Sequence, residues 1–118
     1  MKNLAPHIFR QRLLIEGHYQ IAVDEPQIRE FFTRVTAALQ LRTYAEPIVF
    51  SPEALGSEGN QGYDAFVPLV DSGIALYVWT SARFLSLVFY TCKGFDEASA
   101  IEITRTFFAM SDVAHCTF

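Results

Sequence analysis

Apolar residues are densest in the segment 62–92, where the hydrophobic pattern predicts three consecutive strands. The runs 63–70, 74–80 and 84–92 are rich in β-branched and aromatic residues and are separated by very short breaks. Asp71-Ser72-Gly73 supplies turn residues between the first two strands. A meander this apolar must be covered on at least one face, so we expect the flanking segments to cover and extend it.

Two further segments carry apolar residues at helical spacing. Asp24 is a good helix cap and Pro26 fits the first turn of the helix that follows. The apolar stripe of this first helix consists of Ile28, Phe31, Phe32, Val35, Ala38 and Leu39. Asp96 caps a second helix, predicted over 97–110. Its inward positions are Ala100, Ile101, Thr104, Phe107 and Phe108.

The remaining pattern completes a single α+β domain. Strands are predicted over 10–21, 44–50 and 112–118, with a break or bulge near Gly17 and an edge position or bulge at Pro47. The stretch 51–61 is a polar loop of a length that is often functional. The order β-α-β-β-β-β-α-β predicts a two-layer sandwich, in which two helices cover a mostly antiparallel sheet.

Composition favours a dimer that hides apolar surface. Half of the 118 residues are hydrophobic, eleven of them Phe, and the mean hydropathy is positive at +0.19. So short a chain is expected to bury part of this surface in a homodimer. The net charge of −4 comes from interspersed acids and no basic patch occurs, so we expect no nucleic-acid partner.

Neither a membrane nor a metal is expected as a partner. The apolar runs are too short to span a bilayer, and the N-terminal segment lacks the apolar core of a signal peptide. Three histidines and two cysteines show no metal-ligand spacing or disulfide framework. The expected location is the cytoplasm, with free thiols.

The triplet Asp71-Ser72-Gly73 is the sharpest local feature that could carry chemistry. These residue types are standard in hairpin turns, and a plain turn is the favoured interpretation from composition alone. The surrounding string VDSGIALYVW, followed by FYTC ending at Cys92, nevertheless resembles the short prokaryotic S-adenosylmethionine decarboxylases. The strings RLLIEG, VFSP and FDEASAIEI extend the resemblance over most of the chain.

The resemblance implies a cofactor made from the chain itself. Ser72 matches the serine whose hydroxyl attacks the preceding carbonyl, so cleavage would fall between Asp71 and Ser72 and leave a pyruvoyl group. That group binds the amine of a small-molecule substrate covalently and acts as an electron sink in decarboxylation. Cys92 matches the residue that protonates the carbanion. The implied substrate is S-adenosylmethionine (AdoMet) or a related cationic amino acid, in polyamine biosynthesis.

Several positions depart from the pattern of that family. Tyr77 stands where the family has its processing histidine, and Asp64 where it has its processing serine. Gly73 replaces the histidine after the reactive serine, and Ser81 replaces the acid that grips the ribose. A phenol donates a proton but is a poor base near neutral pH. Asp64 is a candidate base in place of the serine.

Glu16, Phe50 and Trp79 are the candidate substrate-binding residues. Glu16 matches a family acid near the site, Phe50 lies in the matching VFSP string, and Trp79 ends the string after Ser72. The alternatives are a solvated strand residue for Glu16 and core packing for the aromatic side chains. Two other functions remain open: an unprocessed relative acting as a ligand-binding or regulatory partner subunit, and a structural module that dimerises through its sheet.

Overall fold

A six-stranded antiparallel sheet forms one layer of the protein and two helices form the other. The structure is a computed structural model that describes residues 1–51 and 61–118. The strands are β1 (Gln11–His18), β2 (Ile48–Phe50), β3 (Gly62–Leu69), β4 (Ser72–Trp79), β5 (Phe84–Thr91) and β6 (Ala114–Thr117), and the helices are α1 (Glu25–Ala38) and α2 (Glu97–Phe107). The strand order is β2-β3-β4-β5-β1-β6. The predicted two-layer α+β sandwich is confirmed.

Both helices begin where a side chain satisfies a free backbone N–H. Asp24 accepts a hydrogen bond of 3.0 Å from the N–H of Gln27, and Asp96 accepts one of 3.0 Å from the N–H of Ala98. In α1 the predicted stripe is buried except for Ala38, which is exposed. The second helix ends at Phe107 and not at 110. None of the described helices is long and apolar enough to cross a membrane.

Alternate residues of the long strands face the helices and form the core. On β4 these include Ile74, Leu76 and Val78, all buried. They pack beneath an aromatic cluster in which the rings of Phe31 and Phe108 lie 4.8 Å apart. The other side of the sheet has no helix over it among the described residues, and we call it the open face.

The first strand is continuous where a break or bulge was predicted. Every residue of β1 has a partner on β5, including Gly17 opposite Leu85. The reason for glycine here is a close approach, because a Cβ on Gly17 would overlap the carbonyl oxygen of Asp112. Tight packing from the α2–β6 connection, and no bulge, therefore accounts for this glycine.

The second predicted strand is mostly an irregular segment. Only Ile48–Phe50 pairs as a strand, while Thr43 forms an isolated bridge with Leu69. As Pro47 suggested, β2 lies at the edge of the sheet. The loop predicted over 51–61 lies almost entirely outside the described residues.

Candidate functional site

A direct hydrogen bond joins Ser72 and Cys92, the two residues to which the resemblance gave the central roles. Ser72 is the first residue of β4. Cys92 comes directly after the last residue of β5, the strand next to β4 in the sheet. The backbone N–H of Cys92 donates to Oγ of Ser72 at 2.9 Å. Antiparallel pairing of β4 with β5 brings the two residues together at one end of the sheet.

The peptide bond that precedes Ser72 lies in a strained hairpin turn. Asp71 has a φ of 53°, in the left-handed region that costs a non-glycine residue about 1 kcal/mol. The turn is anchored by the N–H of Val70, which donates to the carbonyl of Arg42 at 3.2 Å. Asp71 is exposed, and Ser72 is only half-buried. Strain and access therefore coincide at the Asp71–Ser72 bond.

Ser72 lies between two cavities with different linings. The first, of about 360 Å³, is lined by Ser72 and Cys92 together with Arg42 and Lys93. Lys93 is held there by a 2.9 Å hydrogen bond from its Nζ to the carbonyl of Gln40. The first cavity therefore has two basic residues beside the hydroxyl and the thiol, together with one acidic residue, Asp71.

The second cavity is a hollow on the open face, with a volume of about 420 Å³. Its floor includes Gly73 and Ala75, and the side chains of Phe66 and Tyr90 flank it. A Cβ on Gly73 would lie 2.6 Å from two ring carbons of Phe66. The Phe66 ring thus takes the space that a side chain at position 73 would need, so a larger residue there would require this ring to move.

Four of the other candidate residues form one transverse row across the open face. The pairing register places Phe50 opposite Asp64, Asp64 opposite Tyr77, Tyr77 opposite Ser86, and Ser86 opposite Glu16. Oγ of Ser86 donates to a carboxylate oxygen of Glu16 at 2.8 Å. The row is therefore acidic at Asp64 and Glu16, with the phenol of Tyr77 between them.

The row lies far from Ser72 within one chain. Tyr77 is five residues further along β4, a distance of about 17 Å in an antiparallel strand. Trp79 lies two residues beyond Tyr77, with its ring 5.6 Å from that of Phe84. The structure thus brings Ser72, Asp71 and Cys92 together, and it gathers Glu16, Asp64, Tyr77 and Phe50 at a separate place.

Arg12 is a residue of the open face that sequence reasoning missed. It lies opposite Tyr90, and its guanidinium carbon is 5.6 Å from the centre of the Phe118 ring. Its Nε is buried and meets no acceptor within the described residues, and no carboxylate there pairs with it. The alternation along β1, which places Arg12 on the same side as Glu16, was the available signal.

No group of residues suited to hold a metal ion occurs in the described ranges 1–51 and 61–118. Within these ranges, the one histidine–carboxylate contact joins His18 and Asp112 at 3.0 Å, away from Ser72. The backbone N–H of His18, and then its ring, hold the pKa of Asp112 below its ordinary value. This contact ties the end of β1 to the segment before β6 and is structural.

The fold has a solved counterpart. A crystal structure of the adenosylmethionine decarboxylase from Aquifex aeolicus superposes with a TM-score of 0.71, covering 94% of this chain and 89% of that one. The chain has the fold of this AdoMet decarboxylase. Sequence identity to it is 15%, so the similarity extends to the fold alone. No protein-family model and no curated protein matches the sequence.

Proposed function

We propose that this protein is a pyruvoyl-dependent decarboxylase of AdoMet or a related cationic amino acid, acting in polyamine metabolism in the cytoplasm. The observation that carries the proposal is the hydrogen bond between the N–H of Cys92 and Oγ of Ser72. On a fold like that of an AdoMet decarboxylase, this bond joins Ser72 to the backbone of Cys92, the two residues that we propose as cofactor precursor and proton donor. Further support comes from the strained turn and from the cavity beside them, where Arg42 and Lys93 outnumber the single acid Asp71.

Maturation is a rearrangement at the Asp71–Ser72 bond. Oγ of Ser72 attacks the carbonyl carbon of Asp71, and the C–N bond breaks to leave an ester and a free amine on residue 72. Loss of the Cα proton then breaks the bond between Cβ and the ester oxygen, and the carboxylate of Asp71 leaves. Water then hydrolyses the resulting dehydro residue at position 72. Its nitrogen leaves as ammonia, and the pyruvoyl group remains at the new N-terminus.

The structure around Ser72 fits a group of this kind. Leu69 on β3 and Ser72 on β4 face each other, and both strands are paired along their length. Cleavage in the turn between them leaves that pairing in place, so the new terminus stays at the end of β4. The half-buried hydroxyl of Ser72 also borders both cavities, which gives a substrate room to approach.

The residues around Ser72 have distinct roles in turnover. A pyruvoyl group, when formed, supplies the electron sink for loss of carbon dioxide from the bound amino acid. The Cys92 thiol borders the same cavity and donates the proton that replaces the carboxylate. Arg42 and Lys93 contribute positive charge that attracts the substrate carboxylate before the reaction.

A second candidate function is an unprocessed relative that serves as a ligand-binding or regulatory partner subunit. The observation that favours it is the distance of about 17 Å along β4 between Ser72 and Tyr77, the position of the missing histidine. A phenol is also a weak base near neutral pH, so processing would be slow even if Tyr77 were close.

Intact mass under denaturing conditions separates the two functions. A decarboxylase yields two fragments, 1–71 and 72–118, and the second reacts with hydrazine and releases carbon dioxide from labelled AdoMet or another cationic amino acid. The Ser72→Ala variant, which lacks the attacking hydroxyl, stays whole and unreactive. Full-length mass without carbonyl reactivity in the unmodified protein would rule out pyruvoyl catalysis and leave the partner-subunit function.

A further inference from the structure

We propose that residues 1–10, which we call the arm, form a binding site for a phosphate group together with β1, and that the guanidinium groups of Arg10 and Arg12 hold it. A cavity of about 210 Å³ is lined by residues of the arm and by Arg12 of β1. It shares no lining residue with either of the two cavities beside Ser72. Binding there is therefore separate from any chemistry at the Asp71–Ser72 bond.

The arm is folded back on itself and forms a wall of the cavity. The backbone N–H of Ile8 donates to the carbonyl of Ala5 at 3.0 Å, which closes a turn. Oδ1 of Asn3 accepts from the N–H of Ala5 at 3.0 Å and also from Nη2 of Arg10. The Arg10 side chain is thus held in place before any ligand arrives, which lowers the entropy lost on binding.

Arg12 is a half-buried cation whose donors have no acceptor in the described part of the protein. It makes no hydrogen bond and no ion pair within 1–51 and 61–118, and its Nε is buried. The ring of Phe118, 5.6 Å from the guanidinium carbon, stabilises the charge but satisfies none of the five N–H groups. Burial of an unpaired charge is costly, so an anion in the adjoining cavity relieves that cost.

The lining of the cavity is positively charged and otherwise contains no acid. Arg10 and Arg12 supply the two charged side chains of the lining, and neither has an ion-pair partner among the described residues. The apolar walls lower the local dielectric constant and so strengthen the attraction for an anion. The other lining residues are Met1, Asn3, Pro6, Ile8 and Phe9.

Two guanidinium groups favour an anion with two charges. A phosphate group carries close to two negative charges near neutral pH, and its oxygens accept paired hydrogen bonds from a guanidinium. A carboxylate carries one charge and so neutralises only one of the two arginines. The cavity volume of about 210 Å³ lies below the roughly 300 Å³ at which sites for drug-sized molecules begin. The site therefore fits a phosphate group, with the remainder of any phosphate ester outside the cavity.

The test is calorimetric titration of the whole chain with inorganic phosphate, at an ionic strength held constant with chloride. We expect saturable one-to-one binding by the unmodified protein. Arg12→Gln and Arg10→Gln should each weaken this binding by at least about tenfold, because each removes one set of charge-assisted hydrogen bonds. Arg12→Lys keeps the charge but not the paired donors, so it should weaken binding by a smaller factor.

Two further variants exclude effects of net charge and of misfolding. Arg105→Gln removes one positive charge from an exposed position of α2 outside the cavity, and should leave phosphate affinity unchanged. Asn3→Ala leaves β1 untouched but releases the Arg10 side chain, and should weaken binding severalfold. Circular dichroism establishes that each variant is folded before its affinity is interpreted.

The Ser72→Ala variant separates this site from the proposed decarboxylase. Ser72 lies outside the cavity, so the variant should bind phosphate as tightly as the unmodified protein does. An unmodified chain that stays uncleaved but binds phosphate would refute the decarboxylase and leave the phosphate site in place.

Competition experiments with glycerol phosphate and acetate identify the class of ligand. Displacement of inorganic phosphate by glycerol phosphate would show that an ester is accepted, and lack of displacement would restrict the site to the free ion. Acetate that binds as tightly as phosphate would overturn the assignment to a doubly charged ligand. The absence of saturable binding at millimolar phosphate would overturn the site itself. An affinity that a folded Arg12→Gln variant retains, or that Arg105→Gln lowers equally, would do the same.

Discussion

Oγ of Ser72 accepts its 2.9 Å hydrogen bond from the backbone of Cys92 and not from its thiol. The contact therefore survives any substitution at position 92 that leaves the backbone in place. Mutation can therefore separate two roles of Cys92. Its backbone N–H holds the Ser72 hydroxyl in position, and its side chain donates the proton.

Cys92→Ala is expected to keep self-cleavage while impairing turnover. Removing a positioned general acid lowers the turnover rate by about 10²- to 10⁴-fold. The measurements are intact mass for cleavage and carbon dioxide release for turnover. Cys116→Ala is the control, since Cys116 is an exposed residue of the edge strand β6 and both quantities should be unaffected. Equal activity of the two variants would remove Cys92 from the mechanism.

Tyr77→His combined with Asp64→Ser is expected to accelerate cleavage at Ser72 by at least about tenfold. An imidazole is a far better base near neutral pH than a phenol, and it stands at this position in the enzymes that the sequence resembles. The fraction cleaved is followed by mass over several days, with Tyr77→Phe as the control that should not accelerate cleavage.

The same double variant reports on how the base reaches Ser72. Because about 17 Å of strand separates positions 72 and 77, the gain should require the expected homodimer, in which a second copy of the chain supplies the base. The gain should then be lost when the protein is diluted until it is monomeric. Acceleration that persists in a monomer would show that the base acts within one chain.

Gly17→Ala is expected to destabilise the fold by about 1–3 kcal/mol, as overpacking of a tight site does. A Cβ at this position overlaps the backbone carbonyl of Asp112, which cannot move aside as a flexible side chain would. Gly94→Ala is the matched control, because the nearest heavy atom to its Cβ is 3.9 Å away. Urea unfolding measures the stability of the two variants. Equal unfolding midpoints for Gly17→Ala and Gly94→Ala would contradict the close approach at Gly17.

The Asp112 carboxylate should make stability depend on pH in the acid range. The backbone N–H of His18, and then its ring, lower the pKa of Asp112 from its ordinary value of 3.8. A depressed pKa in the folded state means that the contribution is present above pH 3.8 and is lost as pH falls through the folded pKa. Asp112→Asn should therefore lower the melting temperature at pH 6, with a difference that disappears in stronger acid.

Glu46→Gln serves as the control for that pH series. Glu46 is an exposed carboxylate with no ion pair among the described residues, so its removal should shift the melting temperature little at any pH. A constant offset between Asp112→Asn and the unmodified chain from pH 2 to 6 would contradict the role assigned to Asp112.

Local signals in the sequence were enough for the helices and for the meander. Caps at Asp24 and Asp96 and apolar spacing over the next residues act within one or two helical turns, so the start of each helix follows from its own sequence. The three central strands follow in the same way, because short turns force neighbours in the chain to be neighbours in the sheet. Resemblance supplied Ser72 and Cys92, and their proximity follows from this local pairing.

Strand order and the coverage of each face were decided by tertiary structure. Alternation along β1 separates Arg12 and Glu16 from the core residues, but it does not say that β1 pairs with β5 or which side the helices cover. The contact between Glu16 and Ser86 joins residues 70 positions apart, and such pairing depends on burial of the whole sheet. The separation of Tyr77 from Ser72, and the exposure of the open face, arise from that same long-range pairing.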